Sequence, residues 1–114
     1  MGEATLTLLK GTLDVLILRT LAWQPLHGYA ISRFIREQSG EVFRIEEGAL
    51  YPALRRLEER GLVEGEWGVT DTGREAKYYT LTEEGRRRMR AELRDWTRYV
   101  EAMSRVLHSR PSSA

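Results

Sequence analysis

A short helix with leucines on one side runs straight into a two-stranded ribbon with a basic tip, and a long helix with heptad-spaced apolar side chains follows. Together they predict a mainly α, α+β chain: a winged helix-turn-helix extended by one long C-terminal helix. The first observation is Glu47-Gly-Ala-Leu-Tyr-Pro-Ala-Leu-Arg-Arg-Leu-Glu-Glu-Arg-Gly-Leu-Val63, where Leu50, Leu54 and Leu57 share a face. The second is Arg74-Glu-Ala-Lys-Tyr-Tyr-Thr-Leu81, a strand returning behind a glycine-containing turn. The third is Met89, Leu93, Trp96, Val100, Met103 and Leu107, spaced as the a and d positions of a coiled coil.

In chain order, residues 1–10 lead in with Leu6, Leu8 and Leu9, and read either as a further helical turn or as an arm lying on a partner subunit. Thr12 is a suitable N-cap with Asp14 in the first turn, and Leu13, Leu16, Ile17 and Leu21 recur at helical spacing, so a first helix is expected to reach Trp23 before Gln24-Pro25 ends it. A second, amphipathic helix is expected from His27 to Gln38, with Ile31, Phe34 and Ile35 opposite Arg33, Arg36 and Glu37, closed by Ser39-Gly40. Val42 to Ile45 are extended enough for a minor strand. Pro52 is tolerated in or just after a first helical turn, which places the start of the third helix near Glu47, and Arg60-Gly61 stops it. Val63, Trp67 and Val69 alternate with polar residues as a half-buried strand, Thr70-Asp-Thr-Gly73 turns, and Ala76 to Leu81 return. Thr82 caps a last helix that begins with Glu83 and Glu84 and continues to His108. The expected organisation is a DNA-binding domain over 1–82, a dimerisation helix over 83–108 and a disordered tail over 109–114.

Composition bounds the function. A chain of 114 residues with 41% hydrophobic residues supports one domain with a modest core. No apolar run approaches the roughly 20 residues of a membrane span, and the N-terminus lacks the order of a secretory signal, so the cytoplasm is the expected compartment and no membrane is expected as a partner. The absence of cysteine excludes disulfides and thiolate chemistry. His27 and His108 are the sole imidazoles, without a ligand set to accompany them, so neither a metal nor a cofactor is expected. No nucleophile–base pair, carboxylate dyad or phosphate loop stands at a meaningful spacing, which argues against an enzyme. The net charge of +1 neither favours nor opposes a polyanionic partner, because placement of a few cations decides that.

On the third helix, Gly48, Pro52, Arg55, Arg56 and Glu59 point away from the leucines, with Tyr51 on the flank. That face is the candidate major-groove reader of double-stranded DNA. Small Gly48 and Ala49 permit close approach, free N–H groups at the helix start favour a phosphate, and Arg55 or Arg56 can fork onto a guanine edge or grip a phosphate. Arg74 and Lys77 flank the wing turn, from which a phosphate or the minor groove is reached. Of Tyr78 and Tyr79 one must pack beneath the wing, since neighbouring strand residues face opposite sides. Tyr29, opening the second helix, can donate its hydroxyl to the DNA backbone or simply sit satisfied at a domain edge. The last helix predicts a homodimer through Met89, Leu93, Trp96, Val100, Met103 and Leu107. The near-zero net charge also permits a second reading, a winged helix that binds protein instead of DNA.

Lys10-Gly-Thr-Leu-Asp-Val-Leu-Ile-Leu, His27-Gly-Tyr, Gly48-Ala-Leu-Tyr-Pro-Ala-Leu-Arg-Arg-Leu-Glu, Gly61-Leu-Val and Lys77-Tyr-Tyr-Thr-Leu-Thr-Glu-Glu-Gly, in that order and spacing, resemble the PadR family of bacterial transcriptional regulators. The likeness covers residues 8–108. It implies a homodimer that binds an inverted-repeat operator and usually represses. It further implies DNA contact through Tyr51, Pro52, Arg55, Tyr29, Arg74 and Lys77. Ala49 departs from the small hydroxyl residue frequent after the helix-opening glycine, which removes one phosphate hydrogen bond. The chain is similar to short, multidrug-sensing members, in which paired tryptophans of the dimer sandwich a flat and often cationic effector. That likeness implies a small-molecule site at Trp96 with Glu92 or Asp95 as cation partners, against the alternative that Trp96 only packs.

Overall fold

The computed structural model describes residues 8, 9 and 11–112. The element order is α1 (Thr12–Thr20), β1 (Leu26–His27), α2 (Gly28–Gln38), α3 (Glu47–Glu59), β2 (Val63–Val69), β3 (Glu75–Leu81) and α4 (Glu83–Leu107). Apart from Leu8 and Leu9, the lead-in lies outside the described residues, as does the end of the expected tail at 113 and 114.

The helices follow from their apolar stripes. Ile17, Leu18 and Leu21 of α1 and its C-cap, Ile31 and Ile35 of α2, and Leu50, Ala53, Leu54 and Leu57 of α3 meet in one core with Leu62, Val63, Tyr79, Leu81 and Met89. Burying each large aliphatic side chain contributes about 2 kcal/mol, so the three leucines of α3 bind it to the other two helices far more firmly than any surface ion pair does. Phe34 departs from its expected inward position: it is 40% exposed, on the rim of α2.

The sheet has order β1-β3-β2, all antiparallel, with Leu26 opposite Tyr79 and Trp67 opposite Lys77. The minor strand is therefore Leu26–His27, and Val42–Ile45 stay irregular although Phe43 and Ile45 pack on the core. Tyr79 is the tyrosine beneath the wing, buried beside Leu81, and Tyr78 lies on the opposite face. Beyond the reach of α3 the strand face that carries Val63 becomes bare, so Trp67 and Val69 are exposed rather than half-buried.

Caps explain the boundaries. Thr12 is the first helical residue instead of the N-cap, because Gly11, at φ 87°, takes that position and the Thr12 hydroxyl donates back to the Leu9 carbonyl. The helix ends at Thr20 rather than Trp23. The end of α3 is closed as expected: Gly61, at φ 76°, lets Leu62 N–H reach the Leu57 carbonyl and its own N–H reach Glu58. Pro52 sits in the second turn of α3, one turn deeper than the first-turn position where its missing donor costs nothing.

The start of α4 is tied to both α3 and the sheet. The Thr82 hydroxyl accepts from Gly85 N–H at 2.9 Å and donates to the Gly61 carbonyl at 2.8 Å, while Thr82 N–H donates to the Leu62 carbonyl. Gly85 and Met89 are buried in the core of this chain, so α4 leaves the winged helix at a fixed direction. Beyond them its apolar stripe is only partly covered by the described residues: Leu93, Trp96, Val100 and Met103 are each about two-fifths exposed.

Candidate nucleic-acid interface

The outer face of α3 is built as its helical wheel dictates. Gly48, Ala49, Tyr51, Pro52, Arg55 and Arg56 are exposed, and Leu50, Leu54 and Leu57 are buried behind them. The two arginines differ in their partners. Arg56 donates to Asp14 of α1 at 2.7 Å, and Arg60 approaches the same carboxylate at 3.9 Å. Arg55 has no ion-pair partner among the described residues. Of the two alternatives Arg55 is the unengaged guanidinium, and Arg56 bridges α3 to α1. That bridge is half-exposed and worth about 1 kcal/mol at most, so it orients Arg56 without locking it.

At the wing, Thr70 N–H donates to the Arg74 carbonyl, Gly73, at φ 84°, donates its N–H to the Thr70 carbonyl, and Arg74 N–H donates to the Thr70 hydroxyl. Arg74 thus projects from an ordered tip, exposed. Lys77 does not share that tip. It sits mid-strand, donates to Glu58 of α3 at 3.0 Å, and lies 5.7 Å from the Tyr79 ring. The hydrogen bond to Glu58 is the main cause holding the Lys77 ammonium above its usual range. Glu58, an acid that would repel phosphates from the C-terminal half of α3, is thereby neutralised, and Lys77 is spent on it.

The start of α3 carries Glu46 as N-cap and Glu47 in the first turn, both exposed. These carboxylates already complement the helix dipole, which counts against a phosphate at this end. At the start of α2 no acid stands in the first turn, and the cap is a side chain that sequence reasoning gave no such role: His27 Nδ1 accepts from Ala30 N–H at 3.2 Å. Histidine is not among the favoured capping types, so capping preference alone does not single it out. The His27 ring stacks on Tyr29 at 6.4 Å and meets the Tyr78 ring edge-on at 5.3 Å. The Tyr51 ring lies on Gly28, where a Cβ would come within 2.6 Å of the tyrosine hydroxyl. Tyr51 thus seats α3 on the start of α2, and His27 joins Tyr78 of β3 to Tyr29 of α2, with Tyr29 exposed on the outside.

Along α4, Met89 does not head the exposed stripe; it is only 4% exposed, within the core of the chain itself. Leu93, Trp96, Val100 and Met103 are each about two-fifths exposed, and Leu107 more so. The Trp96 ring stacks on Tyr99 at 5.9 Å. These two rings, with Leu9, Gly11, Val15 and Asp95, line an open groove of about 510 Å³. Glu92 borders it too but is held by Arg88 at 2.8 Å, leaving Asp95 as the groove's carboxylate without an ion-pair partner among the described residues.

No helix among the described residues is long and apolar enough to cross a membrane. The chain is similar to an uncharacterized protein of Lysinibacillus sphaericus, 31% identical over 94 residues that cover 82% of this chain and 86% of that one. It is 32% identical over 80 residues to the negative transcriptional regulator PadR of Bacillus subtilis strain 168, covering 70% of this chain but 42% of that regulator. A PadR family transcription regulator from Clostridium difficile R20291 superposes with a TM-score of 0.75 at 30% identity, over 85% of this chain and 99% of that one. A PadR-like regulator from Bacillus cereus strain ATCC 14579 does so with 0.77 at 27% identity, over 89% and 96%. With residues 17–91 matching the family model as well, the chain belongs to the PadR-like family of transcriptional regulators.

Proposed function

We propose that this regulator is a homodimeric repressor that binds an inverted-repeat operator. Each protomer presents α3 to a major groove and the Arg74 tip to the neighbouring backbone. The single observation that carries the reading is the pairing of an exposed, unengaged Arg55 on the outer face of α3 with an exposed apolar stripe on α4 that begins only where the protomer's core ends. Family membership supplies DNA-binding regulation. The repressor direction is supported by the Bacillus subtilis relative, a negative regulator by name. In this scheme Arg55 reads a base edge, Gly48 and Ala49 allow close approach, Tyr29, Tyr51, Pro52 and Arg74 position the duplex, and Arg56 and Lys77 act through Asp14 and Glu58 to hold α1, α3 and the wing together. Leu93, Trp96, Val100, Met103 and Leu107 form the dimer interface, with residues 1–82 as the DNA-binding domain and 83–108 as the dimer arm.

The effector half of the proposal places a flat cationic molecule against Trp96 and its Tyr99 backing, with Asp95 as counter-ion. Moving the two arms changes the separation of the recognition helices from the roughly 34 Å of one DNA turn and releases the operator.

The test is binding of purified protein to its own upstream intergenic DNA against a scrambled duplex, followed by anisotropy. Arg55→Ala is expected to cost about 1–3 kcal/mol per half-site and to relax preference at one base pair, as loss of a bidentate contact does. Arg56→Ala should cost less and relax no position. Equal weak binding to both duplexes by the unaltered protein would overturn the reading in favour of a protein-binding winged helix.

Gly28→Ala supplies a second check on the same surface. The added methyl displaces the exposed Tyr51 ring rather than backbone, so the fold persists while operator affinity drops about tenfold, the cost of one hydrogen bond to a charged group. Combining it with Tyr51→Ala should lose no more than Tyr51→Ala alone, a double-mutant cycle read by anisotropy.

A further inference from the structure

The ion pair that joins α3 to the wing stands beside the guanidinium assigned to base reading. Arg55 and Glu58 are neighbours one turn apart on α3, and the Arg55 guanidinium is near enough to oppose the charge of Lys77 on β3. Lys77 turns to Glu58, its ammonium donating to the carboxylate at 3.0 Å. Gly65 on the neighbouring strand β2 makes room for the pair: a Cβ there would overlap Lys77 Cε and come within 3.1 Å of Glu58 Oε2. The lysine stem thus lies over a bare stretch of β2 to reach the acid. Glu75, two residues earlier on the same strand face, holds no ion pair among the described residues, and Glu64 and Glu66 stand on the opposite face. The Lys77 and Glu58 side chains are 32% and 33% exposed, so an ammonium released from Glu58 would meet solvent beside Arg55. A pair this exposed contributes little to folding, and its larger consequence is electrostatic.

We propose that Glu58 is a positioning residue that holds Lys77 off the phosphate backbone and so lowers the sequence-independent affinity of this regulator for DNA. This rests on the operator-binding reading above, in which α3 and the wing face the duplex. An ammonium on a flexible stem follows a phosphate in almost any register, so its grip adds affinity without sequence information. Held by Glu58, it leaves the sequence-bearing contact to Arg55, and the many competing sites of a genome are bound more weakly.

The experiment measures affinity against salt for the unaltered protein, Glu58→Met and Glu58→Met/Lys77→Met, on the operator and on a scrambled duplex. Methionine is unbranched, a good helix former and uncharged, so thermal midpoints should move by no more than about 5 °C. Glu58→Met is expected to bind the scrambled duplex several-fold more tightly at low salt, with a slope of log affinity against log salt steeper by about one per protomer, as one more phosphate contact requires. The double variant removes a pair of zero net charge and should return both slope and affinity to those of the unaltered protein. An unchanged slope in Glu58→Met, which capture of Lys77 by Glu75 would also give, overturns the proposal. So does a double variant that binds more tightly than the unaltered protein, because Glu58 then acts by its own repulsion. A double variant that binds more weakly overturns it too, because Lys77 then already touches a phosphate while paired. None of these results disturbs the operator preference of the unaltered protein. Equal weak binding of that protein to both duplexes removes the operator reading alone, since the slope on the scrambled duplex still decides the role of Glu58, and no binding to either removes both.

Discussion

Gly85→Ala is expected to destabilise this protein by about 3 kcal/mol, at the upper end of what overpacking costs, and to lower its thermal midpoint by on the order of 10 °C. The sign runs against helix propensity, because alanine inside a helix is ordinarily worth up to about 1 kcal/mol more than glycine. Here a Cβ collides with the Leu62 carbonyl and crowds Leu81. That carbonyl cannot swing away, since it accepts Thr82 N–H at 3.1 Å, and the Thr82 hydroxyl is fixed between Gly61 and Gly85. Only a shift of α4 relieves the clash, and that shift breaks the N-cap and drags Met89 from the core. Gly48→Ala is the control: its Cβ meets nothing within 4 Å, so stability should hold or rise slightly. Calorimetry on the two variants decides it. A Gly85→Ala protein as stable as the unaltered one would mean that α4 is not held rigidly against the winged helix.

Sequence made the frame of this fold legible where a periodic signal met a strong stop. The leucines of α3, the Gly61 termination and the Thr82 cap all lie where spacing and capping chemistry put them. What stayed hidden depends on which side chains meet across the fold. Arg55 and Arg56 are equivalent on a helical wheel, and only the position of Asp14, 42 residues upstream of Arg56, separates the free arginine from the engaged one. Lys77 reads as a wing cation, yet the register that sets it opposite Trp67 brings it to Glu58 instead. Met89 fits the heptad, but the heptad cannot reveal that the first two turns of α4 serve the protomer's core. A histidine at position 27 invites the question of a metal ligand, whereas its cap on Ala30 emerges only from backbone geometry. The distinction matters for function. On the proposed operator-binding reading, pairing Lys77 with Glu58 and Arg56 with Asp14 withdraws two cations from the duplex and assigns the charged contacts to Arg55 and Arg74.

Val100→Glu is expected to turn a dimer into a folded monomer and to weaken operator binding by about 10²- to 10⁴-fold, the range over which linking two sites raises avidity. Val100 lies about three turns beyond Met89, the last core residue, so its change leaves the protomer's own packing untouched. In a two-fold arrangement the substitution appears twice on one seam. Each copy forfeits about 1.5 kcal/mol of apolar burial and must also desolvate a carboxylate facing its like, a cost of several kcal/mol. Leu93, Trp96 and Met103 cannot compensate, because they occupy the same stripe and lose their partners together. Sedimentation at micromolar concentration should show the monomer mass, the thermal midpoint of the core should become independent of protein concentration, and a single half-site should bind as weakly as it does to the unaltered protein. An unchanged dimer that still grips its operator would exclude the α4 stripe as the interface and would make the exposed Trp96 groove a surface of the protomer alone.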